Sequence, residues 1–323
     1  MKYKLINRRS RVYQKQLDLT LSGTGPVRFP AWVGVLRYIE ERGYHIRRLA
    51  GTSGGALVGG LYAAGMSVDD LESVLLKTDY SAFAKTSWWR VAKAIAWPKS
   101  LGGGYMNNGY TLEKFLHSLI GKKSFKHAKG LHIFTTDMCN GVSKIFNWRD
   151  DYNYSIAKAI RASISLPIIW NGVPYKYEKG HGLKGIKRRR TVLMDGGLRN
   201  NFPIDYFEPM ELDKIQEKEV PLIGFTIEHD FCTIKEQYSF KDIGGSVISN
   251  MVGATDRKYE EDTKGNYVML THGDIEDGNP YEFDINNSVK AKWIEAGYKV
   301  ARDNWDDLIN TSEIEVDKPV AQR

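Results

Sequence analysis

The stretch from Ile46 to Met66 reads I-R-R-L-A-G-T-S-G-G-A-L-V-G-G-L-Y-A-A-G-M and constrains this chain more than any other. An apolar run, Ile46 to Ala50, leads into Gly51-Thr52-Ser53-Gly54-Gly55, which fits GxSxG. Small and apolar residues from Ala56 to Ala64 follow. Strand, tight turn and helix in that order are the context in which a serine can be held exposed as a nucleophile. The turn is so sharp that a side chain two positions before or after the serine would strike the backbone, and Gly51 and Gly55 remove that collision. A helix starting behind Ser53 aims its amides and positive dipole end at the serine. Two plainer readings compete. Leu49 to Val68 has no charged residue and is long enough to cross a bilayer, but its six glycines weaken that helix. GxSxG also arises as an ordinary glycine-rich turn.

The surrounding pattern favours an α/β chain. Lys15 to Leu21 alternates as a first strand. Ser22 to Arg28 is a glycine-rich loop, and Pro30 to Gly43 is a helix stopped by Gly43. Ser67 caps another helix, with Asp69 and Asp70 in its first turn. Further helices are expected over Thr111 to Ile120, Ser155 to Ser163 and Ser288 to Leu308. Strands are expected over Gly130 to Asp137 and Lys144 to Trp148, joined at Asn140-Gly141, then over Thr191 to Met194 and Pro221 to Ile227. Tyr175 to Arg190 reads as a basic loop. Strands alternating with helices imply a mainly parallel central sheet flanked by helices. The expected organisation is a basic arm over 1–14, one domain over 15–310 with an insertion or lid near 80–108, and a tail over 311–323.

The 323 residues carry a net charge of +7, which suits an anionic partner. No nucleic-acid motif is present, so a membrane surface is the expected partner. Trp88, Trp89 and Trp97, interleaved with Lys85, Arg90, Lys93 and Lys99, are candidate anchors, with Lys187 to Arg190 as a second basic cluster. The basic N-terminus lacks the apolar core of a signal peptide. Cys139 and Cys232 make neither a disulfide framework nor a metal knuckle. A cytoplasmic protein, peripheral at membranes and without metal or organic cofactor, is expected.

A serine nucleophile needs a base. None of the seven histidines (45, 117, 127, 132, 181, 229 and 272) stands where the sequence points towards Ser53. Asp195 is the better candidate, since it ends a strand and is followed by Gly196 and Gly197. It is expected at the carboxyl edge of the sheet, where Ser53 lies. An Asp-Gly-Gly turn is the plainer reading. Acyl transfer also needs N–H groups for a developing oxyanion, and Gly23 and Gly25 permit such exposed amides. A dinucleotide fingerprint fails there because Arg28 takes the place of its third glycine.

Taken together, these segments resemble the patatin-like phospholipases, from Leu17 to about Trp305. S-G-T-G-P-V-R with G-V-L-R-Y-I-E-E-R-G is similar to that family's oxyanion loop and first helix, and A-G-T-S-G-G-A-L-V-G-G-L-Y-A-A-G to its nucleophile elbow. T-T-D-M-C-N-G with K-I-F-N, A-I-R-A-S-I-S-L-P-I-I-W and L-M-D-G-G-L-R-N-N-F-P-I resemble its middle strand pair, the helix before its aspartate and the aspartate segment. The resemblance implies a three-layer α/β fold and a phospholipase A type lipid acyl hydrolase. Ser53 would be the nucleophile and Asp195 the base of a Ser–Asp dyad without histidine. The oxyanion hole falls among Gly23, Thr24 and Gly25, with the Thr24 and Gly25 amides the assigned pair. Pro26, which has no N–H, and Phe29, where the family prefers glycine, depart from the pattern. The rivals are a non-catalytic lipid- or partner-binding module on the same fold, and a thioesterase or peptidase with the same dyad.

Overall fold

A computed structural model of the chain describes residues 15–84, 109–167, 169–178, 186–207, 220–228, 267–271, 275 and 283–314. Its elements are β1 (Gln16–Leu21), α1 (Gly25–Arg28), α2 (Ala31–Glu41), β2 (His45–Thr52), α3 (Gly54–Ala63), α4 (Val68–Lys77), α5 (Ser81–Ala84) and α6 (Tyr110–Ile120). Then come β3 (Leu131–Asp137), β4 (Val142–Phe146), α7 (Ile156–Ser163), β5 (Val173–Lys176), β6 (Arg190–Asp195), β7 (Leu222–Ile227), β8 (Tyr267–Leu270), α8 (Asn287–Asp303) and α9 (Trp305–Ile314). Capping explains several helix starts. Ser67 Oγ accepts from Asp70 N–H at 3.0 Å and Asn286 Oδ1 from Val289 N–H at 2.9 Å, each satisfying an orphan amide.

The strands form one mixed sheet in the order β5-β6-β3-β2-β1-β7-β8, with β4 also beside β3. The run β3-β2-β1-β7-β8 is parallel throughout. One face, carrying Leu19, Leu49, Ile133 and Phe225, shares a core with α2, α3, α4, α7 and α8. The other carries Ala50 and Phe134 against Phe207. This is the α/β arrangement expected, a mainly parallel sheet with flanking helices.

Some expectations need correction. The loop Ser22 to Arg28 tightens into the single helical turn α1. The basic loop at Tyr175 begins as a strand, because Val173–Lys176 pairs antiparallel with β6. Pro174 hides it in the sequence, since proline is tolerated only on an edge strand, which is where β5 lies. The closing helix breaks at Asn304, and its second part continues to Ile314. Alternation in β1 does not mean a wet face: Asp18 is buried, its carboxylate bonded to both Arg47 and Arg48 at 2.6 Å. The uncharged stretch at Leu49 is strand, turn and a ten-residue helix, and no described helix is long and apolar enough to cross a membrane. The tryptophans at 88, 89 and 97, their neighbouring cations and Cys232 lie outside the described residues.

Candidate active site

Strand register brings Ser53 and Asp195 together. β4 occupies one edge of β3 along Ile133 to Asp137. β2 pairs with Leu131 to Phe134 and β6 with Thr135 to Asp137, so both must share the other edge. β2 runs parallel to β3 and β6 runs antiparallel, so the two meet head to head there. Thr52 lies opposite Phe134 and Asp195 opposite Thr135. Ser53 follows Thr52, so serine and aspartate stand at the junction. Asp195 ends its strand beside Ser53, as the sequence suggested, but that strand runs antiparallel to β2 and β3 there. It comes down from the sheet's carboxyl edge.

The turn itself is strained. Ser53 has φ 48° and ψ −115°, the only positive φ outside glycine among the described residues. Such a conformation costs on the order of 1–3 kcal/mol and persists where its surroundings dictate it. A Cβ on Gly51 would lie 2.7 Å from Ala56 N, and one on Gly55 2.3 Å from Leu21 O. The glycines two positions either side of the serine are thus obligatory, the second because β1 passes so close. Ser53 heads α3, whose N-terminal dipole favours negative charge there.

Ser53 is 7% exposed and Asp195 1%. The Ser53 hydroxyl donates to Asp195 Oδ2 at 2.7 Å, and Gly197 N–H donates to Asp195 Oδ1 at 2.8 Å. Burial pushes the Asp195 carboxyl up to about 7, against the pull of those two hydrogen bonds. A carboxylate poised near neutrality can take a proton from the serine it touches.

The end of α7 locks both residues. Ser53 N–H donates to Ser163 Oγ at 2.9 Å, and Ser163 Oγ–H donates to Phe134 O at 2.6 Å. Asp195 N–H donates to Ser165 O at 3.0 Å, while Thr136 Oγ1–H donates to Asp195 O at 2.7 Å. The buried Arg161 guanidinium bonds Ser165 Oγ, Gly109 O and Asn171 and so fixes this segment. Sequence reasoning missed Ser163. The one hint was a pair of serines in the otherwise apolar A-S-I-S-L. Ser163→Ala leaves the Ser53 amide buried without a partner, a loss of about 1–3 kcal/mol. Denaturant unfolding should show that decrease; wild-type stability would remove Ser163 from this role.

The candidate oxyanion donors separate on inspection. Gly23 N–H already donates to Asn201 O at 3.0 Å, so Gly23 drops out as a donor and that expectation is corrected. Ser53 N–H is taken by Ser163. The amides of Thr24, Gly25 and Gly54 show no such partner among the described residues. Gly54 was not named among the candidates, but it begins the helix whose amides were expected to face Ser53, and the amide at that position is part of what the GxSxG elbow supplies. Gly25 has φ +68°, a left-handed conformation that turns the chain into α1.

Ser53, Gly25 and Gly54 open onto a cleft of about 700 Å³, mouth included. Leu57 and Leu61 continue from Gly54 as one stripe of α3, faced by Leu75, Phe115 and Trp170. The walls are almost wholly apolar.

No described histidine bonds Ser53. His117 contacts Gly121 O, His127 turns back on Ser124 and His132 meets Tyr206. Loss of hydration lowers His132 to about 4, helped by Arg48. His181, His229 and His272 lie outside the described residues. Among the described residues no group of three or more His, Cys, Asp or Glu side chains could hold a metal ion.

A family model described as patatin-like phospholipase matches residues 19–208. The uncharacterized protein YqhO of Bacillus subtilis is 23% identical over 304 residues, covering 87% of this chain and 95% of that protein. Lysophospholipase NTE1 of Candida glabrata is 27% identical over 200 residues, which is 61% of this chain but 10% of that much longer protein. Among solved structures, VipD from Legionella pneumophila aligns with a TM-score of 0.50 at 14% identity, covering 95% of this chain and 71% of VipD. At that identity the likeness is one of fold.

Proposed function

The chain belongs to the patatin-like phospholipase family, and on that premise we propose that it is a lipid acyl hydrolase of the phospholipase A type with Ser53 and Asp195 as its catalytic pair. The observation that carries this is the 2.7 Å hydrogen bond from Ser53, which lines an apolar cleft, to the buried carboxylate of Asp195. The cleft takes the acyl chain and puts the ester carbonyl over Ser53. Oγ attacks the carbonyl carbon as its proton passes to Asp195 Oδ2. The carbonyl oxygen becomes an oxyanion held by amides drawn from Thr24, Gly25 and Gly54. The ester C–O bond then breaks, and Asp195 returns its proton to the departing alcohol. Water attacks the acyl-serine, gives a proton to Asp195, and the fatty acid leaves as Ser53 recovers its hydrogen. Each step uses groups of the chain itself.

The test is release of free fatty acid from phospholipid, measured for wild type and Ser53→Ala. Release by both, or by neither, would count against this reading. A second expectation isolates the amides. A Cβ on Gly54 would lie 2.6 Å from both Phe29 Cβ and Thr24 Oγ1, so Gly54→Ala spreads the donor set. Losing one oxyanion donor costs on the order of 10²–10³ in kcat. Steady-state kinetics on a soluble ester should show that fall with KM little changed; an unchanged kcat in a folded Gly54→Ala protein would place the hole elsewhere.

A further inference from the structure

We propose that the outer face of the β5–β6 ribbon is a docking surface for an anionic lipid bilayer. The ribbon has two faces. Tyr175, Thr191, Leu193 and Asp195 turn inward, whereas Pro174, Lys176, Arg190 and Val192 are exposed. Lys176 lies directly opposite Arg190, and Pro174 opposite Val192. Like charges facing each other across a strand pair destabilise it. A lysine and a proline on an edge strand guard against strand addition, which accounts for Lys176 and Pro174. It does not account for Arg190, on the inner strand, or for Lys187 and Arg188, both exposed just before it.

The backbone that carries Lys187 and Arg188 is held in place. Asn140, in the β3–β4 turn, accepts from the amides of Lys187 and Arg188 through Oδ1, at 3.0 and 2.7 Å, and donates through Nδ2 to Arg188 O at 2.9 Å. Arg189 alone turns back, donating to Tyr177 O. Beside the cations stand Met138, 48% exposed, and Val192, 37% exposed, joined by a hydrogen bond from Met138 N–H to Val192 O. Exposed apolar side chains ringed by cations match an anionic interface, with the apolar groups entering it and the charges meeting its headgroups. Among the described residues of the ribbon, the other exposed charge is Glu178. Val192 is three residues before Asp195, roughly 10 Å along the strand, so a bilayer seated here lies close to the site.

The choice of a bilayer rests on the lipid-hydrolase reading, and the test separates the two. Full-length Ser53→Ala protein, which leaves lipid intact, is co-sedimented with vesicles of phosphatidylcholine alone or mixed equally with phosphatidylserine, at low and high salt. Preferential, salt-sensitive binding to the mixed vesicles is expected. Adding Lys176→Gln, Arg188→Gln and Arg190→Gln should weaken it on the order of 10²-fold, since each cation near such a surface contributes roughly fivefold. Arg188→Lys with Arg190→Lys should keep it. With Ser53 present, the triple change should leave hydrolysis of a soluble short-chain ester unaltered; no such hydrolysis in wild type would count against the hydrolase reading instead. Equal binding to neutral vesicles, no binding to the mixed ones, a triple variant that binds normally, or the lysine variant losing as much as the triple would each overturn the proposal.

Discussion

Ser53→Ala should abolish turnover and covalent labelling together. A nucleophile acting with its base as a unit is worth on the order of 10⁵ or more in kcat, the largest single effect anticipated for this chain. The fold should persist. Ser53 Oγ donates only to Asp195, and alanine can hold the φ of 48° no less easily than serine. A fluorophosphonate should label the wild type on the peptide containing Ser53 and leave the alanine variant untouched. Labelling that survives in Ser53→Ala would show that the nucleophile lies elsewhere.

Asp195→Asn should lower kcat on the order of 10⁴, since an amide cannot take the serine's proton. The wild-type pH profile carries the same argument. Asp195 must be unprotonated to act as base, and burial raises it to about 7. On a soluble ester, log(kcat/KM) should therefore fall with unit slope below about pH 7 and level off above. A fall only in the ordinary carboxylate range would deny Asp195 that role. Stability runs the other way. A carboxyl raised on folding binds more protons in the native state between its unfolded value and about pH 7. Its contribution is fully present at low pH and is lost as pH rises through that window. Asp195→Asn should flatten this dependence, so that near pH 8 the inactive variant melts no lower than wild type. A folded His→Ala variant as inactive as Asp195→Asn would turn the pair into a triad.

Much of the site is local and so could be read from the residues. The elbow needs glycine at 51 because the serine's own turn brings the backbone of Gly55 and Ala56 within 3 Å of that position, whereas at 55 the crowding comes from Leu21 and Ser22 of the neighbouring β1 segment. Asp-Gly-Gly was legible in the same way: Gly197 N–H closes on the carboxylate two residues before it. Pro174 concealed β5, because a four-residue edge strand exists only through its partner. Gly23 looked as free as Gly25, and only Asn201, 178 residues away, shows that its amide is engaged. Thr24 and Gly25, the pair assigned to the oxyanion hole from the sequence, sit where the loop turns into the short helix α1.

By itself, then, the sequence determined the strand–turn–helix around Ser53, the turn after Asp195 and the α/β alternation, since each follows from sterics and hydrogen bonds within a few residues. Only the tertiary structure decided that β2 and β6 meet head to head on β3, that Ser163 holds the Ser53 amide and that the cleft runs along Leu57 and Leu61. Those features depend on pairings between segments far apart in the chain, 82 residues from Leu49 to Leu131, 60 from Thr135 to Asp195 and 110 from Ser53 to Ser163. Strand direction and register are settled by which backbone groups find partners once the core closes.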